Sequence, residues 1–244
     1  HSKAGGLTHT FTRKGYEFDI GVHYVGGLHE GSDLRAVLKF LTADALKWRQ
    51  LPHEFERLIF PDFEWRVPSA PSEYRSRLEE RFPQERLAIA GYFVTEGKIA
   101  EAYGLWQFSE KFAWPMRKSA QAYLRGFRKD MFQTTESVFD RTFEDQTLKN
   151  ILTARWMGFG LPPDRSSFGI HCVHAAHYSS GAWYPEEGGA SIAEQLAVPI
   201  RAAGGQVLVG HSVEEILTEG YRVRGVRVDR AIDGAHEIFC DTVI

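Results

Sequence analysis

Ala4-Gly5-Gly6-Leu7-Thr8-His9-Thr10-Phe11, continued by Gly15-Tyr16-Glu17-Phe18-Asp19-Ile20-Gly21-Val22-His23-Tyr24, is the most informative stretch of the chain. Polar and apolar residues alternate through residues 7–25, with Phe11, Tyr16, Phe18, Ile20 and Val22 as the bulky members. A period of two predicts a β-hairpin, with one strand on each side of Lys14-Gly15.

Downstream the period changes. Leu34, Val37, Leu38 and Leu41 recur at helical spacing behind Ser32, a residue type that caps a first turn, so an amphipathic helix is expected there. Phe63, Trp65 and Val67 alternate between Pro61 and Pro68 and predict a short strand. Helices are then expected over 72–81, 84–97, 99–111, 119–132 and 144–157, separated by Pro83, Pro115 and the turn from Gly158 to Pro163. Another is expected over 167–178, leading into the turn-rich loop Gly181-Ala182-Trp183-Tyr184-Pro185-Glu186-Glu187-Gly188-Gly189.

The last quarter predicts a helix over 191–203, bent at Pro199 and closed by Gly204-Gly205. Strands are expected over 207–209, 221–228 and 237–244, with turns at Glu219-Gly220 and Asp233-Gly234. The fold class is therefore α+β, with strands at both ends and a mainly helical middle.

Composition narrows the function. Of 244 residues 43% are hydrophobic and 25% charged, which is the usage of a chain that folds as one large domain or two ordinary ones. The 29 basic and 32 acidic side chains are spread without a basic stripe, which excludes nucleic acid as the partner. Cys172 and Cys240 are too few for a disulfide framework and point to a reducing compartment. The apolar run around Leu87 to Val94 falls well short of the roughly 18 residues of a membrane span. The location expected is thus cytoplasmic or peripheral at a membrane surface. Arg125, Arg128 and Lys129 are candidates for that contact, beside their simpler reading as a solvated helix face.

His171, Cys172, His174 and His177 are metal-type ligands at helical spacing. At 100° per residue, however, His171 and His177 point about 120° apart, so one helix cannot close a tetrahedral site with all three histidines, and no metal is assigned. Trp48, Trp65, Trp106, Trp114 and Trp156 fit an aromatic core, or the wall of an apolar tunnel.

The opening stretch, from Gly5-Gly6 through Phe18-Asp19 to Gly21 and His23-Tyr24, resembles the flavin amine oxidase and phytoene desaturase superfamily, most of all its retinol saturase and carotenoid isomerase branch. A second match follows in the same order and spacing: Ser167-Phe168-Gly169-Ile170-His171, His177-Tyr178, Trp183-Tyr184-Pro185, Gly188-Gly189, then Ala203-Gly204-Gly205-Gln206-Val207. The resemblance implies part of a Rossmann-like FAD/NAD(P)-binding domain with a helical substrate domain inserted. Residues 1–27 and 185–244 would belong to the first and 28–184 to the second. It implies FAD as cofactor, with NAD(P)H as a candidate reductant, and an apolar conjugated polyene as substrate. Gly5, Gly6, Asp19, Gly21 and Val213 are the implied cofactor contacts; a glycine pair lets backbone amides close on a pyrophosphate. His23 and Tyr24, then His177, Tyr178 and Tyr184, are candidates for the acid that protonates a polyene carbon.

The family's GxGxxG unit, its acidic ribose ligand and its closing flavin segment have no counterpart in these residues. A fragment whose last strand runs to Ile244 is therefore expected. Two other readings compete: a non-catalytic module for an apolar ligand, and a metal enzyme built on the histidines. Saturation, desaturation and isomerisation share the same motifs, and the sequence sets no oligomeric state.

Overall fold

The computed structural model describes residues 1–109, 114–230 and 234–244, which divide into two compact units. The first gathers residues 1–22, 36–48 and 185–244; the second gathers 23–35 and 49–184.

In the first unit β1 (Thr10–Arg13) and β2 (Tyr16–Asp19) form the expected hairpin. Lys14 and Gly15 both take positive φ, 52° and 81°, the two-residue turn whose twist matches the strands. The helix behind Ser32 is α1 (Asp33–Leu41), and Ser32 Oγ accepts the Arg35 N–H at 3.3 Å. Its apolar positions stay open, with Phe40 84% exposed.

The second unit holds the main core. β3 (Trp48–Gln50) leads into it, and β4 (Glu54–Ile59) pairs antiparallel with β5 (Glu64–Pro68), the strand expected between the two prolines. β4 itself is not signalled in the sequence, because half of its residues are charged and Phe55, Leu58 and Ile59 do not alternate cleanly. α2 (Pro71–Arg81) starts on a proline, where the missing N–H costs nothing.

Several helical boundaries differ from expectation. The two helices expected over 84–97 and 99–111 are one, α3 (Arg86–Ser109); Glu110 and Lys111 lie outside the described residues. Gly97 does not break it. A helical glycine costs about 1 kcal/mol, less than is gained by burying Ile89, Tyr92, Ile99 and Ala102 along one face. Pro115 is not a separator but the second residue of α4 (Trp114–Arg125), and the helix expected over 119–132 splits at Gly126-Phe127 into α4 and α5 (Arg128–Met131). α6 (Thr135–Thr142) occupies a stretch without an expected helix, capped by Thr134 accepting the Ser137 N–H. The helix expected over 144–157 ends early: α7 (Gln146–Thr153), capped by Asp145, gives way to a 3-10 turn over Ala154–Gly158. α8 (Phe168–His177) lies within the helix expected over 167–178, with Ser167 as its cap rather than its first turn. Phe139, Phe143, Leu148, Ile151 and Phe168 pack with the buried face of α3 into the core.

β6 (Trp183–Pro185) precedes α9 (Ala190–Ala202), which carries Pro199 and ends before Gly204 at φ 81°. The expected strand over 207–209 does not form. Gly205 packs on Ile200 and Gly210 takes φ 69°, so the chain turns there and the strand begins later, as β7 (His211–Glu219). β7, β8 (Arg222–Arg230) and β9 (Gly234–Phe239) make an antiparallel meander. Asp233 of the expected last turn lies outside the described residues. β9 ends at Phe239, so no strand runs to Ile244, which is fully exposed. Among the described residues no helix is long and apolar enough to cross a membrane.

Candidate functional site

The polar centre of the second unit starts at a bulge. The β4–β5 register shifts between Glu54 and Glu56, the kind of irregularity that re-aims a side chain. Glu56 ends with a side chain only 8% exposed, a costly place for a carboxylate without a partner. Arg155, from the turn after α7, supplies the partner: its Nε lies 2.9 and 2.8 Å from the two Glu56 oxygens. The guanidinium stacks between aromatic rings, 5.3 Å from Phe55 and 5.2 Å from Tyr178. Burial works against the Arg155 charge, but Glu56 and the nearby phenols outweigh it and hold the group protonated.

Tyr24 donates its hydroxyl to Glu56 Oε1. Burial, reinforced by Glu56, pushes this phenol far above its ordinary range, so it stays protonated. Tyr178 donates to the Tyr24 carbonyl at 3.2 Å, and the two rings meet edge to face at 5.2 Å. Burial raises Tyr178 to about 12. His23 Nδ1 lies 2.7 Å from the same carbonyl and 3.5 Å from the Tyr178 hydroxyl. These groups open onto a cleft of about 440 Å³ whose other walls include Phe55, Leu58, Ala154 and Met157. Glu56, Arg57, Arg155 and His174 line it as well, so the cleft has polar and apolar walls, the combination that ligand pockets use.

His23, Tyr24 and Tyr178, all singled out from sequence, come together here. His177 does not join them: its Nε2 accepts the Gly26 N–H at 3.0 Å and serves the backbone. Tyr184 is half-buried on β6. His171 turns to Tyr92, 2.9 Å away, and His174 to Gly158 and Phe159, so the three histidines face different partners. Glu56, Arg155, Tyr92 and Glu96 were not anticipated. Glu96 had a readable signal, because it interrupts the apolar stripe Ile89, Tyr92, Ile99 at helical spacing. Glu56 and Arg155, 99 residues apart, had none.

In the first unit two of the expected cofactor contacts, Gly5 and Asp19, lie against the start of α9, and Gly6 follows Gly5 in the same turn. Gly5, at φ 114°, is so close that a Cβ there would stand 3.0 Å from that of Ala193. Asp19 Oδ1 accepts the Gly189 N–H at 2.9 Å, and a Cβ on Gly189 would come within 2.6 Å of that oxygen. Gly21 donates to the Leu7 carbonyl at 3.1 Å, beside Gly6. Val213 sits apart, on β7 opposite Val228, and is exposed. A hollow of about 410 Å³ adjoins the turn, lined in part by Lys3, Ala4, His9, Thr10, Ala190 and Glu194.

A hairpin, a small antiparallel meander and a mainly helical middle make an α+β fold. A solved oxidoreductase from Methanosarcina mazei shares it with a TM-score of 0.59 at 16% identity, over 96% of this chain and 49% of that one. The chain belongs to the flavin containing amine oxidoreductase family, whose pattern it matches over residues 2–244. It is 28% identical to the all-trans-retinol 13,14-reductase of Danio rerio, over 97% of this chain and 40% of that protein. To the protein of the same name from Rattus norvegicus it is 30% identical, over 100% and 42%. The chain thus spans about two fifths of the length of these relatives.

The family implies a flavin, whose phosphates call for N–H donors rather than carbonyls. A Cβ at Gly6 would enter open space, while both glycine carbonyls are already taken, by Thr8 and His9. The turn therefore has N–H groups rather than carbonyls to offer an anion.

Proposed function

We propose that the chain is part of an FAD-dependent oxidoreductase that saturates, desaturates or isomerises a C=C bond of a conjugated polyene, a retinoid or carotenoid. The observation that carries this reading is the pair of protonated phenols, Tyr24 and Tyr178, set with His23 in a cleft whose apolar wall is Phe55, Leu58, Ala154 and Met157. The similarity to two retinol reductases supports the substrate class. The bound flavin supplies hydride exchange with the polyene. This chain's residues hold, orient and protonate. Gly5, Gly6 and Gly21 bring backbone to the cofactor, and Asp19 fixes that turn to α9. Val213 adds a contact from β7.

In the cleft Phe55, Leu58 and Met157 exclude water from the polyene, and a phenol or imidazole at its edge gives the proton. Tyr178 is the first candidate donor, because its hydroxyl is held by a neutral carbonyl at 3.2 Å, whereas Tyr24 is bound to the Glu56 carboxylate and His177 to Gly26. His23 and Tyr184 are secondary. The two compact units support assigning the helical middle to the substrate and the ends to the flavin.

The test is chromatography of the supernatant from denatured full-length protein. Release of FAD is the expected result; protein that carries no flavin and takes none up overturns the reading in favour of a binding module for an apolar ligand.

A further inference from the structure

Beside the cleft, inside the same unit, lies a second cavity of about 50 Å³ whose wall includes Glu56, Tyr92, Glu96, Arg155, His174 and Tyr178. Val67, Phe93, Ile151 and Leu152 also line it, and the space is large enough for an ordered water held by the polar groups. His174 is one of its wall residues, with its Nε2, unpartnered among the described residues, turned toward Gly158 on the cleft side. Glu56, Arg155, His174 and Tyr178 line both the cavity and the cleft, so a single layer of side chains separates the two spaces.

The wall groups differ in what they can do with a proton. Burial drives His171 down to about 3 and His174 to about 4, so neither stores one near neutrality. Burial pushes Tyr74, Tyr92 and Tyr178 up, and Arg155 stays charged. Glu96 is different. Burial raises it to about 7 against the opposing pull of Arg155 and a hydrogen bond from Tyr92. The groups around it are Tyr74 on α2, Tyr92 on its own helix, Glu56 on β4, Arg155, and His171, Cys172, His174 and Tyr178 from α8 and its end.

We infer that Glu96 is the proton store of the cleft, passing its proton through water in the inner cavity to Tyr178 as Tyr178 protonates the polyene. The inference rests on the reading of the cleft given above. In the reductive direction a flavin held by Gly5, Gly6 and Gly21 would supply the hydride to one polyene carbon, and the other takes the Tyr178 hydroxyl proton. The O–H bond breaks as the C–H bond forms, the phenolate recovers a proton from the Glu96 carboxyl, and the carboxylate reloads from solvent. Glu96 touches no reacting atom and is a positioning residue for the proton.

Infrared difference spectroscopy and pH-dependent kinetics of the full-length holoprotein test this together, with Glu96→Gln preserving shape and Glu96→Asp restoring the acid. A protonated-carboxyl band should vanish as pH rises through about 7 and be missing from Glu96→Gln. In the wild type kcat should fall over that same rise. Glu96→Gln should lose roughly 10²-fold in kcat at unchanged KM and lose that limb, and Glu96→Asp should recover part of both. A band that persists in Glu96→Gln overturns the inference. Wild-type turnover with a pH limb that survives in Glu96→Gln overturns it and leaves the cleft reading intact, whereas a wild type that turns over no polyene overturns both.

Discussion

Arg155 reaches Glu56 through one nitrogen, Nε, which stands 2.9 Å from one carboxylate oxygen and 2.8 Å from the other. That contact joins the turn after α7 to β4, and through the Tyr24 hydroxyl on Glu56 it also fixes the edge of the cleft. Replacing Arg155 with Met leaves Glu56 buried and unpaired, which costs roughly 3–5 kcal/mol. The double variant Arg155→Met, Glu56→Gln removes the stranded charge and should regain a large part of this. Urea unfolding midpoints measure both.

Acid should weaken the second unit through His171. This ring is 5% exposed and its pKa falls from 6.5 to about 3, so the unfolded chain binds more protons than the folded one between those values. Stability present above pH 6.5 is therefore lost as pH falls toward 3, at up to about 1.4 kcal/mol per unit. Glu96 acts in the opposite sense. Its raised carboxyl pKa makes stability fall as pH rises from 4.5 toward about 7. Glu96→Gln should flatten that upper part of the stability curve, and thermal unfolding across pH resolves the two slopes.

Two glycines should respond oppositely to alanine. A Cβ at Gly26 would stand 2.0 Å from the His177 carbonyl oxygen, which forces backbone apart and breaks the Gly26 bond to the His177 ring. A Cβ at Gly97, inside α3, meets nothing within 4 Å. Gly26→Ala should destabilise by several times RT, about 0.6 kcal/mol each, whereas Gly97→Ala should stabilise by roughly 0.5–1 kcal/mol. Thermal midpoints of the two variants decide it.

What the sequence made legible was local. The hairpin at Lys14-Gly15, the Ser32 cap of α1 and the glycine after α9 each depend on a few adjacent residues, and each is where the pattern predicts. The unity of α3 was hidden because glycine propensity argues one way and the buried stripe of Ile89, Tyr92 and Ile99 the other. β4 was hidden because its charged residues are matched by Arg77 and Arg155, both distant in sequence. For the same reason His23, Tyr24 and Tyr178 could be chosen from the chain, but the ion pair that anchors Tyr24 could not.

Asp19 should prove structural as well as near the cofactor. Asp19→Ala leaves the Gly189 N–H without its acceptor and should cost about 1–2 kcal/mol, with flavin held more weakly. Equilibrium unfolding and flavin titration of the same variant measure the two effects separately.

The most direct measurement is the ultraviolet–visible spectrum of a polyene, all-trans-retinol or a carotenoid, mixed anaerobically with the reduced full-length holoprotein. Shortening of the conjugated band as the flavin band reappears is the expected result, with Tyr178→Phe slowing it about 10²-fold or more. A polyene band that stays unchanged under both reduced and oxidised flavin, with no geometric isomer formed, would contradict a polyene oxidoreductase.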